Sequence, residues 1–449
     1  MKFKNRIITL ILIFTLIMTF TACDSNEVNE STETTKEEMI ELKFIGTESR
    51  DNYDSDARVK AYFDAIELFE KDYPNVKITH ESIPHDAYQQ KVQVLSAANE
   101  LPDLFDVKGS WNKNMVNNGL VASLTPYLND NKAWADTIKP NTNINFTIED
   151  EVYGLSVESG GSTSLVFYNE AIFKECGIDE FPATAEAFYE AIDKINAKGY
   201  TPISMGNKGK WLAESCYLST IGNRFTGTEW TRSIIDNKGA KFTDQAFIDA
   251  LAYFQSLADK GAFNSDLNSI DYKQQRVPYY NGQAAMFVEG FWAISAVIND
   301  APEEISSNTK IAILPDVDNG LNNASMISGG AGGWAKSMNA GLSDEKKELI
   351  ANWFEYYISE ENATLLYNEG IIPGMESTSY DEEKLHRLQL DYYEIMDNIV
   401  PCEVYDLTFN PAVEAVLESG LQELLIGIIS PEELAERIQE EYEKVSVEE

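Results

Sequence analysis

Apolar positions change rhythm several times along the chain, and each change predicts an element. From Ile7 to Phe20 they form one uncharged run, preceded by Lys2, Lys4 and Arg6 and followed by Thr21-Ala22-Cys23. A basic patch, an apolar stretch too short to span a bilayer and a small-residue cleavage site predict an export signal over residues 1–22. Residues 24–38 are almost purely Asp, Ser, Asn, Glu, Thr and Lys, with too little apolar surface to offset the entropy of ordering, so 23–38 reads as a tether. Beyond it, Leu42 to Ile45 is a short apolar run that starts a sheet. Val59, Tyr62, Phe63, Ile66 and Phe69 recur at helical spacing, with Asp56 as cap and Pro74 just past the end. Val76 and Ile78 alternate with polar neighbours as a strand, residues 86–99 read as a helix, and Leu104 to Val107 as a third strand. Strand, helix, strand, helix, strand is the order a right-handed parallel sheet requires, so the first part of the chain is α/β.

A second block opens at Val152, with β-like runs from Val152 to Val157 and from Leu165 to Tyr168. Thr184 caps a helix ending at Gly199, and Thr243 is expected to cap another whose Phe247, Leu251, Phe254 and Leu257 face inward. Ala284 to Val288 and Ile311 to Leu314 read as buried strands. The last hundred residues are mostly helical, with Ser430-Pro431-Glu432-Glu433 as a capping box. Removing residues 1–22 from the 449 leaves 427, more than one core usually fills, which predicts two lobes.

Charge narrows the partners. The chain holds 74 acidic and 35 basic residues, and since the signal takes three basic residues and no acid with it, the mature charge is about −42. Such a surface repels nucleic acid and favours a neutral or cationic ligand, although a solubilising coat alone would carry the same charge. Past Cys23, the thiols Cys176, Cys216 and Cys402 form no Cys-x-x-Cys pair, and His80, His85 and His386 fit no metal-binding frame, so free buried thiols and no metal or other cofactor are expected.

The Thr21-Ala22-Cys23 junction resembles the lipobox of bacterial lipoproteins, which implies cleavage before Cys23, its acylation, and anchoring on the outer face of the cytoplasmic membrane. Six stretches then follow in one order: Leu101–Val107, Val152–Leu155 running on to Leu165–Asn169, Phe173–Ile178, Gly199–Ile203, Asn281–Met286 and Gly332–Trp334. In this order they resemble the extracellular solute-binding proteins of ABC importers, particularly the sugar-carrying family. The resemblance implies a type II periplasmic-binding-protein fold, in which two α/β lobes joined by crossing segments close about a hinge over a ligand. It implies a first lobe of 39–148 and 293–340, a second of 149–292 and 341–449, a monomer, and ABC permease transmembrane subunits as partners. Ser156 stands where the family often has proline after the crossover Gly-Leu.

A sugar ring offers two C–H faces and a rim of hydroxyls, so its site needs flat aromatics and hydrogen-bonding carboxylates or amides. Trp111, Trp211, Trp292 and Trp334 sit in loops or at strand ends beside Gly, Ser or Lys, where a large apolar side chain needs something to cover it. Trp111 follows the third strand, where open parallel sheets place ligands, and Trp292 follows the strand ending at Val288. Trp353 lies among Ile350, Phe354 and Tyr357 at helical spacing and belongs to the core; Trp134 and Trp230 are less suggestive. Glu48, Asp106 and Glu158 are candidate hydroxyl acceptors, Arg50 a candidate donor, and Asp406 a weaker candidate. No Gly-x-Ser-x-Gly, phosphate-loop or dinucleotide motif occurs, and Gly329-Gly330-Ala331-Gly332-Gly333 lacks the flanks of one, so no enzyme is indicated. A surface glycoside hydrolase needs only two carboxylates and stays open as an alternative, as do polyamine and peptide ligands.

Overall fold

The computed structural model describes residues 39–139, 142–321, 323–377, 383 and 385–448. The expected signal, the tether and Cys23 lie outside them. Eight strands build two four-stranded sheets: β1 (Ile40–Gly46), β2 (Val76–Ser82), β3 (Leu104–Lys108), β4 (Leu165–Asn169), β5 (Thr201–Ser204), β6 (Ala284–Glu289), β7 (Thr309–Ile313) and β8 (Trp334–Met338). The first sheet has the order β8-β3-β1-β2, with β1 parallel to both neighbours and β8 antiparallel at the edge. The second has the order β5-β6-β4-β7, in which only β5 and β6 run parallel. Phe167 of β4 faces Phe287 of β6, and their rings stack at 4.7 Å, a cross-strand pair that fixes the register.

The helices follow their apolar periods. In α1 (Ala57–Asp72) the Asp56 carboxylate accepts from the Arg58 N–H, and Val59, Tyr62, Phe63, Ile66 and Phe69 are buried on one face. Next come α2 (His85–Ala98), α3 (Gly109–Asn117), α4 (Ala185–Ala197) and α5 (Gln245–Asp259). Thr184 caps α4 as its sequence predicts. Asp244, rather than the expected Thr243, precedes α5, and its carboxylate is engaged by the Lys241 N–H and Trp230 Nε1. Further on lie α6 (Asp344–Tyr357), α7 (Pro411–Leu425) and α8 (Pro431–Glu448), the last started by Pro431 with Ser430 Oγ accepting from the Glu433 N–H. Among the described residues, no helix is long and apolar enough to cross a membrane.

The chain crosses between the halves differently from the expected boundaries. Within 293–340, β7 pairs with β4 in the second sheet, and only β8 joins the first. Within 341–449, α6 docks on the first half, because its Trp353 sits at 5.1 Å from Phe44 of β1 and 5.8 Å from Tyr62 of α1; α7 joins the second core through Val413, Leu417 and Leu421. The expected strand from Val152 to Val157 shrinks to Glu151–Val152. The rest becomes a crossing segment tied by single bridges from Leu155 to Lys336, from Glu158 to Pro373 and from Ser162 to Gly329. Here the glycine run finds its reason: a Cβ on Gly329 (φ +131°) would lie 2.1 Å from the Gly161 carbonyl oxygen, and one on Gly160 (φ +76°) 2.0 Å from that of Ala331. The crossing backbones touch, and only glycine fits between them.

Candidate functional site

Rings from both halves meet in one connected chain. Trp111, on the first turn of α3 immediately after β3, meets Trp334 at the start of β8, with ring centroids 5.2 Å apart and planes at 81°. His85, the first residue of α2, lies 5.6 Å from Trp334. On its other side it lies 5.5 Å from Trp211 and 6.0 Å from Tyr272, and Trp211 continues to Tyr272 at 5.1 Å and to Trp292 at 6.0 Å. The four tryptophans singled out in the sequence are therefore one assembly. Trp111 and Trp334 come from the first half, Trp211 and Trp292 from the second, at the edge-to-face and tilted distances that aromatic rings favour. Trp292 donates from Nε1 to the buried Glu289, which also holds Arg276, and glycine at 290 leaves room for the indole to fold back over the chain. Trp111 is buried, yet its Nε1 has no hydrogen-bond partner.

The other tryptophans are structural. Trp353 is fully buried and stacks on Tyr357, Trp230 stacks on Phe247, and Trp134 donates to the Ile358 carbonyl.

The predicted polar residues are placed unequally. Asp106, buried, and Glu48, partly buried, both pair with Lys336 of β8, with each contact at 2.7 Å and the ammonium 4.5 Å from the Tyr62 ring centroid. Burial, opposed by Lys336 and reinforced by Glu48, pushes Asp106 up to about 7. Glu158 lies on the crossing segment, 3.9 Å from Arg58, whose guanidinium is already committed to Asp56 by two 3.0 Å bonds; burial raises the Glu158 carboxyl above its ordinary value. Arg50 is not brought to the rings. Its half-exposed guanidinium pairs with Glu67 and covers the Phe63 ring at 4.0 Å, a surface arrangement that follows from the short 3-10 turn holding it beside α1.

Asp406 sits in a group that sequence reading did not foresee. Lys108, at the end of β3, reaches across to the second half, 3.0 Å from Asp406 and 2.6 Å from Glu414 of α7, while Ser110 Oγ lies 3.4 Å from the other Glu414 oxygen. His85 and Tyr272 were also missed. The histidines drew attention only as metal ligands, although His85 directly follows Pro84 at the end of an expected strand, the same position that marked Trp111. A separate recess of about 290 Å³ lies at the crossing segments, lined by Ser159, Gly160, Gly330, Ile372 and Pro401 among others, and shares no residue with the ring chain. The three cysteines past Cys23 are free and buried.

Two α/β halves, joined by crossing segments and facing each other through a file of indoles, define a two-lobed binding protein of the type II periplasmic class. The chain belongs to the family of bacterial extracellular solute-binding proteins, which matches residues 51–364. It is 23% identical over 286 residues to the multiple sugar-binding protein of Streptococcus mutans, covering 63% of each chain. It is 24% identical over 330 residues to lipoprotein LipO of Bacillus subtilis, covering 68% of this chain and 62% of that one. The matched stretches thus span somewhat under two thirds of these relatives' own lengths. Among solved structures, a chitin oligosaccharide binding protein superposes with a TM-score of 0.82 at 22% identity, over 90% of this chain and 98% of that one.

Proposed function

We propose that this protein is the receptor of an ABC importer and captures an oligosaccharide between its two lobes, handing it to the transmembrane subunits without chemical change. The observation that carries this reading is the ring chain, since two indoles from each half meet where a sugar's C–H faces need flat partners. The relatives that bind multiple sugars and chitin oligosaccharides support the same solute class. Capture requires that contacts on both lobes stabilise the closed arrangement over an open one, because a ligand with equal affinity for both shifts nothing. Trp111, Trp211, Trp292 and Trp334 supply the faces. Glu158 supplies a rim acceptor, with Glu48 and Asp106 fixed behind by Lys336, and Arg50 takes no part. The protein acts as a monomer.

Titrating tryptophan fluorescence with monosaccharides, oligosaccharides and polyamines tests this directly. A saturable change with an oligosaccharide is the expected outcome; saturation by polyamines or peptides alone would overturn the solute class, and release of shortened products would establish a hydrolase. The anchor is proposed at Cys23, in keeping with the likeness to LipO. Cys23→Ala should move the protein from the membrane fraction to the soluble fraction, and unchanged fractionation would remove the lipid from the account.

A further inference from the structure

Four carboxylates gather around a single buried ammonium, that of Lys108. Asp406, in the helical turn Tyr405–Thr408, and Glu414 of α7 both bind Lys108. Glu214 from the Ala213–Leu218 turn and Glu418, one turn beyond Glu414, lie close enough for their charges to act on one another and on the same lysine. The group is tied to the residues directly before two of the rings, one from each half. Ser110, which contacts Glu414, precedes Trp111, and Lys210, which donates to Ser419 next to Glu418, precedes Trp211. Lys108 and Ser110 face the group from the first half, and Lys210 and Cys216 from the second. Acceptors are left over: Asp406 Oδ1 and Glu214 Oε2 are buried with no hydrogen-bond partner, although both residues are more than nine-tenths buried. The rim of a neutral sugar presents hydroxyls that both donate and accept, and it does not require so strong an excess of acceptor-only groups.

We infer that the ligand carries a protonated amine, as in an oligosaccharide of amino sugars with free ammonium groups, seated where the indole file meets Asp406, Glu414 and Glu418. This deepens the sugar-binding reading and rests on it. An ammonium brings three donors and a charge, which match the unpaired acceptors and the carboxylate excess together. Without a ligand the excess is relieved by protons. Burial first, then the charge of Glu414, pushes Glu418 up to about 8, and burial, opposed by Lys108, pushes Glu414 up to about 7. A bound ammonium displaces those protons, so affinity for an amino sugar rises with pH through this range, and binding releases protons.

Calorimetry on the full chain, comparing glucosamine oligomers, their N-acetylated counterparts of equal length and spermidine at pH 6 and pH 8, tests the inference. The glucosamine oligomer should bind at least about tenfold more tightly than the N-acetylated one at pH 8, the scale of one charge-assisted hydrogen bond, with a smaller preference at pH 6 and proton release seen across buffers. Glu418→Gln, at a partly exposed position, and Asp406→Asn should each bring that preference toward unity. Equal or tighter binding of the N-acetylated oligomer overturns the amine and leaves the sugar reading standing. Binding of spermidine alone, or of none of the three together with a silent fluorescence panel, overturns both. A preference unchanged in both variants overturns the assigned position.

Discussion

Two buried lysines, Lys336 on β8 and Lys108 at the end of β3, sit on adjacent strands of the first sheet in contrasting company. Lys336 faces two carboxylates from its own half, Glu48 and Asp106, with the Tyr62 ring against the ammonium, and both carboxylates bind it directly while Glu48 Oε2 is left without a partner. Lys108 faces the other half, where Asp406 and Glu414 hold it and Glu418 and Glu214 add charge that it cannot balance. A buried ion pair adds little net stability against a well-packed apolar replacement, yet removal of one partner strands a charge. The first cluster therefore reads as a brace within the first half, and the second as a buried junction between the halves with more acid than its one lysine balances. What distinguishes them is stoichiometry and the half from which each acid comes.

That contrast is broken most strongly at the brace. Lys336→Met leaves Glu48 and Asp106 facing each other without a cation, and should lower unfolding free energy by about 3–5 kcal/mol in urea titrations. A loss below about 1 kcal/mol would mean that the brace is dispensable. Next in size, Trp292→Ala should weaken oligosaccharide binding by about 1–3 kcal/mol, the scale of a buried aromatic contact, and unchanged affinity would remove Trp292 from the site. The smallest effect sharpens the second cluster. Glu418 and Glu414 hold their protons to about 8 and about 7 in the folded protein, above the ordinary carboxylate value. Their contribution to stability is full below about 4.5, the ordinary glutamate range, and is lost as pH rises through 7 to 8. The melting temperature should fall between pH 5 and pH 8.5, and Glu418→Gln should reduce that fall by a degree or two on the order of its single group; an identical pH profile would contradict the shared burial of these acids.

Much of this was legible in the chain. Trp111, Trp211, Trp292 and Trp334 stood out because a large apolar ring beside Gly, Ser or Lys at a strand end lacks a core of its own, and all four meet. Helix α1 and strands β1 to β3 followed from period and caps. What escaped was long-range. Nothing local distinguishes β7 from β8 as to which sheet takes it, and the destination of α6 depends on Trp353 meeting Phe44 and Tyr62, far away in sequence. Lys108 and Lys336 drew no notice in the sequence because their partners lie up to 306 residues away. Arg50 misled because a loop after the first strand suits a ligand contact, and only the three-dimensional placement of Glu67 and Phe63 shows it held elsewhere.

The central claim is that both halves grip one solute with their indoles. Isothermal titration of the tightest-binding oligosaccharide into the wild type, Trp111→Ala and Trp292→Ala addresses it most directly. Each substitution, one on either side of the cleft, should weaken binding by about 1–3 kcal/mol. Full affinity retained by either variant would mean that the solute is held by one half alone, and the account of capture between the lobes would be contradicted.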